Sequence, residues 1–189
     1  MSRDRHADDL LFEPRALLET LVRHEVRFVV VGGIAGNAHG STTATLDLDV
    51  CYARDKENLG SLAAALRELE ITLRGADPGL PFRVDERAIR NGLNFTFSTR
   101  HGSLDCLGEA SGYTFEVLAP NAERAELGGV EVLVASLDDL IRMKRAAGRT
   151  KDLVEVENLS KLREVREERG LYGVAARRRS ARARPRVRR

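Results

Sequence analysis

Phe28-Val29-Val30-Val31-Gly32-Gly33, followed after thirteen intervening residues by Asp47-Leu48-Asp49, is the stretch that decides how this chain is read. Four β-branched or aromatic residues stopped by two glycines describe a buried strand that turns sharply. Leu46 to Tyr52 then alternates acidic with apolar residues, the period of a second strand. Residues two apart in a strand point to the same side, so Asp47 and Asp49 project together with their Cα atoms roughly 7 Å apart. Two bare carboxylates side by side repel each other unless a cation neutralises them. Oxygen ligands of this kind suit magnesium, which takes one or two carboxylates together with substrate phosphates. The glycine turn lets the backbone approach a phosphate closely, and the N–H groups opening the next helix offer donors.

Each feature has a plainer reading. A Gly-Gly after a strand is more often only a tight turn, and an Asp-x-Asp is more often a solvated edge or a calcium-type loop feature. Their order favours the chemical reading, together with a third acid, Asp105, set inside the strand-like run Ser103-Leu104-Asp105-Cys106-Leu107. An acid flanked by apolar neighbours calls for a partner, and a three-carboxylate site would supply one. Two metal ions held there, about 4 Å apart, could activate an attacking hydroxyl and stabilise a leaving pyrophosphate.

Working outward, Pro14 opens a helix over residues 14 to 25, with Leu17, Leu18, Leu21 and Val22 on one stripe. A short helix is expected over Ile34 to His39, where His39 caps the end rather than acting as a base. Leu59, Leu62, Ala63, Leu66 and Leu69 recur at helical spacing. Residues 94 to 98 and 103 to 107 read as two strands of a hairpin, and 130 to 134 as a further strand. Ser136 with Asp139 marks a helix start, Gly148 its end, and Thr150 opens another helix that fades near Gly170. The pattern is a mixed α/β (α+β) chain with a helical C-terminal segment.

With 42% hydrophobic and 32% charged residues, the 189-residue chain has the composition of one folded domain, not of a disordered or membrane chain. No run is apolar enough for a signal peptide or a membrane span, which predicts a cytoplasmic protein. Cys51 and Cys106 stand far apart and read as reduced core thiols; Cys51 shares strand parity with Asp47 and Asp49 but is expected to pack. The net charge of +2 hides an asymmetry, since residues 177 to 189 hold eight arginines, leaving 23 of the 31 basic residues against 29 acidic ones before them. Residues 1 to 170 are thus expected to form the domain and 171 to 189 an arginine-rich, disordered tail. Such a tail suits RNA through counterion release, or serves only as a solubilising extension.

Gly32-Gly33, Asp47-Leu48-Asp49 and Asp105 together resemble the signature of the polymerase-β-like nucleotidyltransferase superfamily. The longer string from Val30 through His39-Gly40 to Asp49, and the late segments 140 to 144 and 148 to 153, are similar to its AbiEii-type branch, toxin-like enzymes of abortive-infection and toxin-antitoxin loci. The resemblance covers about residues 14 to 165 and implies the minimal nucleotidyltransferase fold, a mixed sheet flanked by helices. It implies that Asp47, Asp49 and Asp105 bind two Mg2+ ions with a nucleoside triphosphate, that Gly32 and Gly33 cradle the triphosphate, and that Lys144 contacts a phosphate. Thr43 belongs to the same nucleotide-binding set, standing where the branch often carries arginine, while Gly33 stands where many members carry serine. The function implied is transfer of a nucleoside monophosphate to an acceptor hydroxyl of RNA, tRNA or protein, with an antitoxin protein as a further partner. Two alternatives stay open: a catalytically weak RNA- or partner-binding module on the same fold, and a small-molecule, antibiotic-modifying nucleotidyltransferase, whose cationic acceptor the acidic body would attract. By their residues alone, Lys144, Arg149 and Lys151 could equally be a solvated basic face, and Asp152 could simply hold one of those cations.

Overall fold

In the computed structural model the chain runs from an amphipathic helix, Pro14–Arg23 (α1), into Phe28–Val31 (β1), Gly32–Ala38 (α2), Asp47–Tyr52 (β2) and Lys56–Glu68 (α3). There follow Thr72–Leu73 (β3), Glu86–Asn91 (α4), Asn94–Thr99 (β4), Gly102–Leu107 (β5), Phe115–Leu118 (α5), Glu123–Leu127 (β6), Val130–Val134 (β7), Leu137–Ala147 (α6) and Thr150–Glu168 (α7). The structure describes residues 12–76 and 84–170. The arginine-rich segment from 171 onward, read above as a disordered tail, lies outside the described residues, as does the charged start.

The seven strands form one mixed sheet in the order β3-β4-β5-β2-β1-β7-β6. The wholly apolar β1 takes an inner place, antiparallel to β2 and parallel to β7, and all four of its residues are buried. β2 is parallel to β5, so the acid-bearing strands lie side by side at the centre. Along β2 the alternation is realised literally. Leu48, Val50 and Tyr52 are fully buried on the side covered by α1, against which α3 packs, while Asp47 and Asp49 face the other way and remain partly open. α6 packs on α2 and on α7, and this pair overlooks the carboxylate side.

The predicted elements are present with small shifts. α1 stops at Arg23, because the chain reverses at Glu25 with φ 56. α2 begins at Gly32 itself rather than at Ile34, and β2 begins at Asp47. Ser136 caps α6 by accepting the Asp139 N–H at 3.2 Å, and Gly148 ends it in the left-handed conformation at φ 65. β3, α4, α5 and β6 were not foreseen. Both cysteines are free and buried, so Cys51 packs as expected. No helix among the described residues is long and apolar enough to cross a membrane.

Candidate active site

Register brings the three acids together. In the parallel β2–β5 pair Asp49 stands opposite Asp105 and Asp47 opposite Ser103, so all three carboxylates share one face. They offer ligand atoms that all lie within 4.8 Å of one another, a spacing one or two cations can bridge. Their compensation is uneven. Arg74, just beyond β3, pairs with Asp105 at 2.5 Å, and the Thr45 hydroxyl donates to Asp47 Oδ1 at 2.8 Å. Among the described residues Asp49 accepts no hydrogen bond and forms no ion pair. Burial first, then the charges of Asp47 and Asp105, push its carboxyl up to about 7. Asp105 is also raised, by burial, with Arg74 acting against the shift.

The glycine turn lies directly on these acids. Gly32 has φ +65, and a Cβ there would collide with the Asp49 carboxylate, so both conformation and space demand glycine. A Cβ on Gly33 would come within 2.6 Å of Thr45 Oγ1. Thr45 thus fills the space a side chain at 33 would need, and brings a hydroxyl to it. Thr43 lines the same cleft and is exposed.

The opposite wall comes from the α6–α7 junction. Lys144 lines the cleft, but its ammonium is 2.5 Å from Glu155 and 4.0 Å from Asp152. Arg149 holds Asp152 through two hydrogen bonds, at 2.6 and 3.3 Å. Burial works to raise the Asp152 carboxyl, but the bonds and charge of Arg149, with Lys144 behind them, hold it below the usual carboxylate range. The sequence reading that Asp152 could hold Arg149 is therefore realised. His39 ends α2, with Nε2 2.8 Å from the Ala135 carbonyl and its ring lowered in basicity by burial.

The cleft has two lobes that share Gly32, Asp49, Lys144, Arg149 and Asp152. The first, about 540 Å³, contains Asp47, Asp105, Gly33, Thr43, Thr45 and Arg74. The second, about 420 Å³, runs between α6 and the segment after β5. A hollow of about 720 Å³ between α1, α2 and the β6–β7 turn contains none of the three acids and is no candidate for this chemistry. Arg74, Thr45 and Glu155 were missed from sequence. Only Thr45 carried a signal, since it extends the parity of Asp47 and Asp49 by two residues.

No protein-family model matches the chain, and no curated protein is similar to it in sequence. Its fold is similar to solved structures. The lincosamide antibiotic adenylyltransferase LnuA, bound to lincomycin, superposes with a TM-score of 0.55 at 11% identity, covering 80% of this chain and 99% of that one. A proposed nucleotidyltransferase of Thermotoga maritima gives 0.50 at 16% identity, over 86% and 99%. ANT(2")-Ia in complex with adenylyl-2"-tobramycin gives 0.50 at 17%, over 82% and 95%. The chain therefore has the mixed-sheet α/β architecture of these proteins.

Proposed function

We propose that residues 1–170 form a magnesium-dependent nucleotidyltransferase domain. The observation that carries this reading is the convergence of Asp47, Asp49 and Asp105 on one face, against a glycine turn that only glycine can form. Asp49 is the telling member, because a half-buried carboxylate with two acidic neighbours and, among the described residues, no ion pair is costly unless a ligand completes it; Lys144 and Arg74 only partly offset the cost. The three carboxylates would hold two Mg2+ ions. Bound there, the metal supplies charge neutralisation for the phosphates and acidifies the attacking hydroxyl.

The chain's own residues do the positioning. The Gly32–Gly33 backbone admits the triphosphate, Thr45 orients Asp47, and Arg74 keeps Asp105 directed toward its partners. Lys144 and the more exposed Arg149 supply positive charge from the facing wall. The acceptor hydroxyl gives up its proton to solvent as its oxygen bonds to the α-phosphorus and the bond to pyrophosphate breaks. The preferred acceptor is a hydroxyl of RNA, tRNA or protein in the cytoplasm, in keeping with the AbiEii-type resemblance and a toxin role checked by an antitoxin. A small cationic acceptor is the second reading, favoured by two structural neighbours that modify or bind antibiotics and by the acidic surplus of the cleft. Incubation with each labelled nucleoside triphosphate, magnesium and separate pools of RNA, protein and aminoglycosides tests both. Label moving to one pool is expected; no transfer to any pool, with intact folded protein, contradicts the enzymatic reading.

A further inference from the structure

Glycine is required at both positions of the turn, but for different reasons. Gly32 stands at φ +65, where any side chain is strained, and it also clears the Asp49 carboxylate. Gly33 lies inside α2 and outside the positive-φ region, so its backbone would accept a side chain. What forbids one is Thr45: a Cβ at 33 would lie 2.6 Å from its Oγ1 and 2.7 Å from its Cβ. The second distance matters more, because it holds for any residue but glycine at 45. Positions 33 and 45 therefore share one space, which admits a side chain from only one of them.

The loop between α2 and β2 is fastened so that the side chain comes from 45. Ser41 N–H donates to the Gly36 carbonyl and Gly40 N–H to the Asn37 carbonyl, both at 2.9 Å. The Asn37 amide, oriented to donate, lies 3.0 Å from the carbonyls of Ser41 and Thr43. The helix that opens at the glycine turn thus holds, one turn later, the loop that returns to it. Residues 42 to 44 and Leu46 are exposed, while Thr45 between them is half-buried. Filling the shared space takes only a methyl group; the hydroxyl has a separate task, because it donates to Asp47 Oδ1 at 2.8 Å. Arg74 answers Asp105 with a charge, whereas Thr45 answers Asp47 with a neutral donor, which fixes the carboxylate without neutralising it. A ligating carboxylate held in this way keeps its full charge for a cation. Resting on the nucleotidyltransferase reading, we infer that Thr45 is a positioning residue that sets the cation affinity of the three carboxylates through Asp47, and that position 33 is glycine in order to admit it. Residues 33 and 45 form one exchangeable unit: a serine at 33 facing a glycine at 45 would carry a hydroxyl into the same space.

The test is titration of Mn2+, which takes the same carboxylate ligands as Mg2+, into the nucleotide-free protein, followed by calorimetry and by the paramagnetism of the free ion. Thr45→Val keeps the shape but not the donor, and should weaken binding about tenfold to 100-fold, the range for a partner of a ligating group. Thr45→Ser restores the donor and should bind as the wild type does. Gly33→Ser and Thr45→Gly should each lose affinity, the first by displacing Thr45 and the second by removing its hydroxyl. The double variant Gly33→Ser with Thr45→Gly should bind more tightly than either single variant. Melting temperatures in chelator should be alike for the wild type, Thr45→Val and Thr45→Ser. A Thr45→Val protein that binds Mn2+ like the wild type overturns the inference, including the case in which it melts lower in chelator, which would make Thr45 a structural residue. Where Thr45→Val melts lower and also binds weakly, the double variant decides: affinity no tighter than that of Thr45→Gly overturns the inference. The wider reading fails separately, through a wild type that binds no Mn2+ with or without a nucleoside triphosphate.

Discussion

The two walls of the cleft both contain buried charge, and they treat it in opposite ways. On the β2–β5 wall three carboxylates meet, among the described residues, a single paired arginine, Arg74, and Asp49 forms no hydrogen bond or ion pair there. On the α6–α7 wall Lys144 lies against Glu155 and Asp152, and Arg149 forks onto Asp152, so each charge is answered nearby. The first arrangement is unstable until something positive arrives; the second is paired charge for charge, although Glu155 Oε1 is buried without a hydrogen-bond partner among the described residues. Unanswered charge marks the place where a ligand belongs, whereas answered charge shapes the wall around it.

Breaking the paired wall should have the largest effect on stability. Lys144→Met leaves the Glu155 carboxylate buried without its cation, and unfolding by urea should show a loss of about 3 to 5 kcal/mol. A loss near zero would mean that Lys144 is held for phosphate alone. On the unpaired wall the same kind of change should spare the fold and remove the activity. Asp105→Asn should lower nucleotide transfer at least about 100-fold, since changes even beyond the ligand shell of a metal reach that size. Its melting temperature in chelator should not fall by more than the loss of the Arg74 pair explains.

The smallest expected effect concerns His39, a buried titratable group away from the three carboxylates. His39 is kept neutral in the fold by burial, so the unfolded chain takes up its proton first. Stability should therefore decline as pH falls below the ordinary histidine value near 6.5. His39→Gln should flatten that part of the profile; an unchanged profile would place the charge change elsewhere.

Much of this contrast was legible in the chain before folding. Val29 to Val31 could only be an inner strand, and the spacing of Asp47 and Asp49 set their common face. The place of Asp105 beside them was an expectation that strand register then met. The paired wall was less legible, because Lys144 and Glu155 lie on different helices separated by the Gly148 break, and no periodicity spans such a break. Arg74 follows a two-residue strand with no pattern around it, and its partner is reached only through β3, β4 and β5 pairing in turn. β6, Glu123–Leu127, is charged and alternating because it lies at the sheet edge, and so lacked the apolar run that identifies a strand. The two-lobed cleft depends on the turn at Ser111–Gly112 and on the α6 face together, which local sequence cannot join.

The most direct measurement is the stability of the wild type and Asp49→Asn from pH 4 to 8, in chelator and again with magnesium and nucleoside triphosphate. The Asp49 carboxyl is raised from 3.8 to about 7 in the fold, so the unfolded chain releases that proton first. Wild-type stability in chelator must then fall as pH rises through this window, and Asp49→Asn should escape the loss, ending more stable at pH 8 by on the order of 2 to 4 kcal/mol. Magnesium with nucleotide should restore the wild type and do little for the variant, because only the wild type keeps the full ligand set. A variant less stable than the wild type in chelator at pH 8, or equally stabilised by magnesium and nucleotide, would contradict the metal-site reading of these carboxylates.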